Sequence, residues 1–448
     1  SNDQLIKDAE AIGKIISQRT LPTLTVTKPV TPAPLAPIEP VSFELNLPND
    51  TSYPTLIGLT PDHTRIWGSF IDTNGLAHLF LKNLNSSEFI VLNNYKDANL
   101  IINGSILNGA RVWGNFNDKN GQHGFITNSN ASEIIDITPE NADTSWINGF
   151  SENNSLLWGS YHTTERWQAF AMKFDGSGVV DLAPKNIISS QITGMSPNGL
   201  VAYGTYEKEN ITHTFLVNTD GSGFTDLTPQ GAVYSSITGI TPEGSIAWGI
   251  MKDLNNNEHS FIIKTDGTGF IDLTPQGAIQ PRIYGLTPDK LKIFGTFQDN
   301  NNQYHSFVTN IDGTGYINLT PSNALASAIL GLSPDKKNLW GWYLDNKNQQ
   351  HGYITSTDGK NFIDFTPDDA LVSQINTFTP DGTKVVGVYW DHNNNIHAFT
   401  NNLDGSNFVN LTPQGAINSY PNSISSDGKI VGTYQTADQK WHGFTYQT

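Results

Sequence analysis

The sequence predicts an all-β protein, a β-propeller of four-stranded antiparallel blades with nine blades in the ring. Three markers recurring at one spacing carry that expectation. A His-x-aromatic triplet stands at His78/Phe80, His123/Phe125, His213/Phe215, His259/Phe261, His305/Phe307, His351/Tyr353, His397/Phe399 and His442/Phe444, and Gln168/Phe170 fills the remaining slot, with steps of 45 or 46 residues throughout. A glycine behind an aromatic residue or valine repeats at Gly68, Gly114, Gly159, Gly204, Gly249, Gly295, Gly341, Gly387 and Gly432. The proline of an "LTP"-like triplet repeats at Pro48, Pro139, Pro184, Pro229, Pro275, Pro321, Pro367 and Pro413, with Asn94 in the second copy. Self-similarity at a fixed period means stacked supersecondary units.

The elements of one unit can be read from Phe224 onward. "GFTDLTP" is a short strand stopped by proline, "SSITGI" a second strand ending at the turn "TPEG", "SIAWGIM" a third before the turn "KDLNNNE", and "HSFIIK" a fourth before "TDGTG". Each is bounded by Gly, Asn, Asp or Pro turn chemistry. Connections this short force neighbouring strands to pair antiparallel. A four-stranded meander of this length is one propeller blade. The repeats open on "VSFELNLP", a fourth strand, and close on "WHGFTYQT", a third strand. The N-terminal strand is therefore expected to complete the last blade and leave no exposed edge between the ends. An open solenoid is the alternative, but it would need capping ends.

Two segments follow: residues 1–40, and the nine-repeat propeller over residues 41–448. Asp3 to about Gln18 has helical spacing, with Leu5, Ala9, Ile12 and Ile16 on one stripe. The Pro- and Thr-rich stretch after it reads as an extended, semi-rigid linker, either packed on the ring or acting as a tether. The net charge of −17 would repel a phosphate backbone, so nucleic acid is not expected as a partner. There is no cysteine, which excludes disulfides and thiolate chemistry. No run of eighteen apolar residues could span a membrane as a helix.

The triplets His397-Ala398-Phe399 and His213-Thr214-Phe215, with "ISSDGKIVG" and "ITPEGSIAWG" before such triplets, resemble the HAF family of extracellular repeats. The run "TDGSGFTDLTP", followed by "TPEG", resembles the repeat of TolB-type propellers. Together these resemblances cover residues 41–448 and imply a propeller that is secreted, on the cell surface or periplasmic. They bring no catalytic residues with them, and TolB-type propellers imply protein binding. The "DGSG" and "DGTG" turns at Asp175, Asp220, Asp266 and Asp312 resemble the structural Asp-boxes of sialidases, which lie away from the active site.

The repeated histidines are expected to brace strands, because equivalent positions lie a blade apart and cannot converge on one metal ion. The Trp-Gly pairs at Trp67, Trp113, Trp158, Trp248 and Trp340 read as core between blades. Two turns alternate oxygen donors as a calcium loop begins, at Asp253, Asn255 and Asn257 and at Asp391, Asn393 and Asn395. Neither carries the later glutamate that completes such a loop, and asparagine at a hairpin tip is expected anyway. No cofactor is expected.

Positions where the units differ are the candidates for binding. Tyr53, Trp146, Tyr234, Arg282 and Tyr420 stand between "LTP" and "IxG" where other copies hold small or aliphatic residues. In the slot filled by Gln168/Phe170, "YHTTERWQAF" replaces the Asn-rich turn and adds Trp167. Rings and an arginine on one face suit protein hot spots or stacked sugars. The expected function is a binding scaffold that docks a protein partner on this face, with a glycan-binding module as the alternative. An enzyme is not expected: five arginines cannot supply a sialidase cluster, no nucleophile elbow or zinc helix is present, and nine similar loops supply little asymmetry for a reaction.

Overall fold

In the computed structural model, which describes residues 25–27, 39–92, 98–128, 130, 132–184 and 186–448, each repeat folds as a four-stranded antiparallel meander. The fifth unit shows why. Its strands are Tyr234–Ile240, Ile246–Lys252, Glu258–Lys264 and Ile271–Asp272. Gly244 and Asn256 take left-handed backbone at the two hairpin tips, with φ of 74° and 64°, which is what those residue types tolerate. On the third strand Ser260 to Ile263 are buried without a break, because neighbouring sheets cover both faces. Most fourth strands are two residues long, such as Val180–Asp181 and Val409–Asn410, and short edges resist edge-to-edge association.

Nine such units follow one another among the described residues. Units four and five are joined by a single parallel pairing, Thr212 with Tyr234, so nine units make eight hydrogen-bonded sheets. First strands pack beside first strands: Ser52–Leu59 against Asn99–Ile106, and Thr144–Phe150 against Ser190–Met195. The first strands thus face the axis and the short fourth strands lie outside.

The ends meet as the sequence predicts. Val41–Phe43 pairs antiparallel with Trp441–Gln447 and serves as the fourth strand of unit nine. Ser52–Leu59 of unit one packs on Ala416–Ile424 of unit nine. A methyl group placed on Gly58 would lie 3.0 Å from Ser105 Oγ of unit two and 3.9 Å from Ser423 Oγ of unit nine. The helix expected from Asp3 to Gln18 lies outside the described residues. Within the stretch expected to be a linker, Thr25–Thr27 runs as a fifth strand parallel to Asn361–Asp364 of unit seven.

The apolar core sits between units. Ala169 and Ala171 of unit three pack with Ile192 and Ala202 of unit four, and Val386 and Ala398 of unit eight with Ile430 and Phe444 of unit nine. Val431 of unit nine packs with Leu56 and Phe80 of unit one. The tryptophans fill the same layers. Trp67 is fully buried and donates its indole N–H to Gly109 O at 2.8 Å, and Trp113 meets Phe150 of the next unit edge-on. Their seats are the glycines of the paired strand: the Trp158 and Trp248 rings lie where a Cβ on Gly149 or Gly239 would be.

The repeated histidine is the centre of a clasp that crosses from one unit to the next. In unit seven the His351 ring stacks on Tyr343 at 4.8 Å, with Nε2 3.3 Å from Asp345 Oδ2 in the preceding hairpin. Its Nδ1 lies 2.7 Å from Thr366 Oγ1 of the "FTP" crossover and 3.2 Å from Asp364. Thr366 Oγ1 lies 2.6 Å from Ser373 Oγ on the first strand of unit eight, and Ser373 Oγ accepts the Gly352 N–H of unit seven at 2.9 Å. Unit eight repeats the chain through Asp391, His397, Thr412 and Ser419, and unit two through His123, Thr138 and Ser145.

Burial works against charge on His351, yet Asp364 and Asp345 hold it above its ordinary 6.5, and Asp253 and Asp272 do the same for His259. Burial also opposes the Asp364 carboxylate, but His351 and Thr366 keep it below 3.8. Hydrogen bonding from the Asn257 backbone leads the groups that bring Asp253 down to about 2.

Two outcomes follow from the clasp. Ser373→Ala strips a buried N–H and a buried hydroxyl of a partner, and should lower the free energy of unfolding by roughly 1–3 kcal/mol. Ser406→Ala, on an exposed turn, should stay within about 0.5 kcal/mol in the same guanidinium titration. The pH dependence has a definite sign. The raised histidines stabilise fully below about pH 6.5 and lose that contribution as pH rises through their folded values; the lowered aspartates stabilise above about 3.8 and lose it on acidification. The melting temperature should therefore be highest between about pH 4 and 6.5, and His259→Gln/His351→Gln should flatten the alkaline fall.

Candidate functional site

At the junction of units three and four the clasp is reduced to its serine. In unit three the positions of Asp, His and Thr are held by Thr163, Gln168 and Ala183. Only the serine remains: Ser190 Oγ of unit four accepts the Ala169 N–H at 3.0 Å, while Gln168 Nε2 reaches its neighbour's carbonyl at 3.4 Å. A cavity of about 300 Å³ opens there, lined by Trp146, Ser160 and Trp167 of unit three and by Ser189, Ser190, Gln191, Thr205, Tyr206 and Glu207 of the unit-four side.

Strand register brings its walls together. Trp146 stands on Thr144–Phe150, paired with Ser160 on Leu157–His162. Trp167 begins Trp167–Met172 and bridges in parallel to Ser189. The indole centroids of Trp146 and Trp167 are 5.0 Å apart and the rings are tilted by 39°. Behind Trp167 lies His162 at 4.9 Å, and its Nδ1 is 2.8 Å from Asp143. Ser160 is 4% exposed, and its Oγ has no hydrogen-bond partner among the described residues. Leaving such a hydroxyl unmatched costs roughly 1–3 kcal/mol, which a ligand polar group can relieve.

The remaining polar groups are held in place. Burial first, and then the 2.8 Å bond that Tyr206 donates to Asp226, hold the Tyr206 hydroxyl above its usual 10.0, so it is a neutral donor near pH 7. Tyr161 behaves alike through burial and Asp181. Gln191 Nε2 donates to Thr205 at 3.3 Å, and Glu207 accepts from Thr212 at 2.7 Å. Indole faces beside hydroxyls, an amide and a carboxylate form a recognition surface for a ligand with both apolar and hydroxyl-bearing faces.

Of the positions singled out in the sequence, Trp146 and Trp167 meet in this cavity. The others lie at separate junctions. Tyr420 stands in the Trp146 register of unit nine, its ring 5.9 Å from Trp441. Arg282 is tied across the unit five–six junction to Glu258 Oε2 at 2.8 Å, beside a hollow of about 540 Å³ lined in part by Glu258, His259 and Gln280. Tyr234 is half-buried opposite Lys252. Tyr53 lies on Ser52–Leu59, and its side chain is outside the described ones.

In the turns read as calcium-like, the carboxylates already have partners. Asp253 Oδ1 accepts the N–H groups of Asn255 and Asn257 at 2.8 and 2.9 Å, and its Oδ2 serves His259 and the Asn257 amide, each at 3.2 Å. Asp391 does the same with Asn393, Asn395 and His397. Ser160, Gln191 and Glu207 escaped sequence reasoning. The signal available was the joint loss of histidine and threonine at Gln168 and Ala183.

No protein-family model matches the chain, and no curated protein matches it. Solved structures do. A eukaryotic initiation factor aligns with a TM-score of 0.50 at 11% identity, over 84% of this chain and 90% of its own. A prolyl endopeptidase aligns with a TM-score of 0.47 at 10% identity, over 81% of this chain and 55% of its own. TolB from Acinetobacter baumannii aligns with a TM-score of 0.36 at 13% identity, over 64% of this chain and 75% of its own. At such identities the likeness is one of fold.

These neighbours correct the expectation that the chain is not an enzyme. Beside the prolyl endopeptidase they include the tricorn protease and a puromycin hydrolase, at 11% and 13% identity, so a repetitive propeller does not exclude catalysis. The physical ground for the expectation also fails locally. At the unit three–four junction Thr163, Gln168 and Ala183 depart from the repeat, and this is asymmetry of the kind that nine similar loops were expected to supply little of.

Restoring the clasp with Gln168→His and Ala183→Thr together should raise unfolding stability by roughly 0.5–1.5 kcal/mol, read from the guanidinium midpoint. Either substitution alone should give less than half of that, since each lacks its partner.

Proposed function

We propose that this chain is a binding scaffold working in the periplasm, on the cell surface or outside the cell, and that it docks a protein partner on the face carrying the crossovers and the hairpins between second and third strands. One observation carries the reading: an aromatic ring or an arginine recurs in one register at every third unit. Trp146 lies opposite Ser160 in unit three, Arg282 opposite Thr296 in unit six and Tyr420 opposite Thr433 in unit nine. Anchors spread around a ring suit a broad partner surface, and Trp, Tyr and Arg dominate such contacts. The strands behind Trp146 and Tyr420 are braced by clasps, so little ordering cost falls on binding there. A HAF-type extracellular repeat and a tethering role for residues 1–40 belong to the same proposal. Among the described residues no helix is long and apolar enough to cross a membrane. A glycan-binding module is a second reading, favoured by the Trp146–Trp167 cavity.

The test is affinity capture from envelope extract with the full chain and with Arg282→Ala/Tyr420→Ala. A specific protein should be retained by the first and reduced about tenfold or more on the second, the effect of losing roughly 1.4 kcal/mol or more of binding. Equal capture on both baits would sink the docking face.

A further inference from the structure

We propose that the cavity between units three and four is a binding site for one uncharged pyranose ring, the terminal sugar of a glycan. This deepens the glycan reading and stands independently of protein docking through Arg282 and Tyr420. Three observations converge on it. The cavity lies at the junction where Thr163, Gln168 and Ala183 stand in the clasp positions of Asp, His and Thr. Its volume of about 300 Å³ is at the lower end of the roughly 300–1,000 Å³ of small-molecule pockets, which is room for a single ring. Ser160 Oγ, on a side chain that is 4% exposed, lies in the wall without a partner.

The chemistry selects the ligand class. A pyranose has one face of C–H groups, which packs on an indole, and a rim of hydroxyls, which both donate and accept. Trp146, 40% exposed, and the tilted Trp167 form an angled apolar wall for the first. Ser160 Oγ and the exposed Gln191 amide answer the second. A lone methyl or phenyl group would fill the wall and leave Ser160 unmatched. A carboxylated sugar would meet Glu207 and a chain of net charge −17, and like charges oppose it.

The experiment titrates the full chain with methyl glucopyranoside, methyl galactopyranoside, methyl mannopyranoside and N-acetylglucosamine, with glucuronate as the charged counterpart. Indole N–H resonances report binding, and melting temperature reports folding. At least one uncharged sugar should shift the Trp146 and Trp167 resonances with roughly millimolar affinity, and glucuronate should not. Trp167→Ala should weaken binding about tenfold or more, Trp167→Phe should retain most of it, and Ser160→Ala should weaken it several-fold without lowering the melting temperature. Trp441→Ala, at the equivalent place in unit nine, should change nothing. The proposal falls if no uncharged pyranose moves those resonances at tens of millimolar, if glucuronate binds as well, or if a folded Ser160→Ala binds like the parent. Protein capture through Arg282 and Tyr420 would survive any of these results.

Discussion

Four junctions among the described residues turn on one cross-unit interaction, the hydroxyl pair that joins a crossover threonine to the first-strand serine of the next unit. Thr366 with Ser373 and Thr412 with Ser419 show it at 2.6 and 2.9 Å. Sheets that pack face to face through Ala, Val, Ile and Phe have no directional reason to hold one angle. The serine supplies direction by accepting a backbone N–H from the preceding unit, and the histidine aims the threonine by sitting between it and a hairpin aspartate. Buried polar networks of this kind specify geometry when every member is satisfied. The same few atoms therefore fix the angle between sheets and the position of the hairpins on one face.

That dependence explains where recognition can arise. The junction with Thr163, Gln168 and Ala183 in the positions of Asp, His and Thr has a cavity beside it, with two indoles and a buried hydroxyl in its walls. Its scaffold survives because Ser190 still takes the Ala169 N–H and because Ile192, Ala202 and Ala169 still pack. The loss is local, and the function proposed for the cavity draws on what was lost.

The frame was legible because it repeats. His-x-aromatic, Trp-Gly and Leu-Thr-Pro carry their spacing openly, and the strand bounds, the closing pair and the bracing role of histidine all follow from them. Trp146 and Trp167 were legible as departures from the repeat. What a sequence read unit by unit does not show is contact across a junction. Glu258 belongs to unit five and Arg282 to unit six, so their ion pair is silent in either repeat alone. Ser160 looks like an ordinary strand serine until Trp146 is placed opposite it. Ala183 is the instructive miss, since its meaning comes only from knowing that threonine and histidine act together.

The strand Val41–Phe43 on Trp441–Gln447 has a consequence in time. Glu44 and His442, which meet beside that pairing, are 398 residues apart, and loop closure on this scale precedes any reward from the contact. Each intermediate unit can dock on its predecessor as it leaves the ribosome, but unit nine stays an open three-stranded sheet until the early strand returns. The growing array is thus an incomplete arc with two bare faces, the state in which a chain with this many edges is most exposed to aggregation. Completion is a single late event, and it converts a sticky arc into a particle without ends.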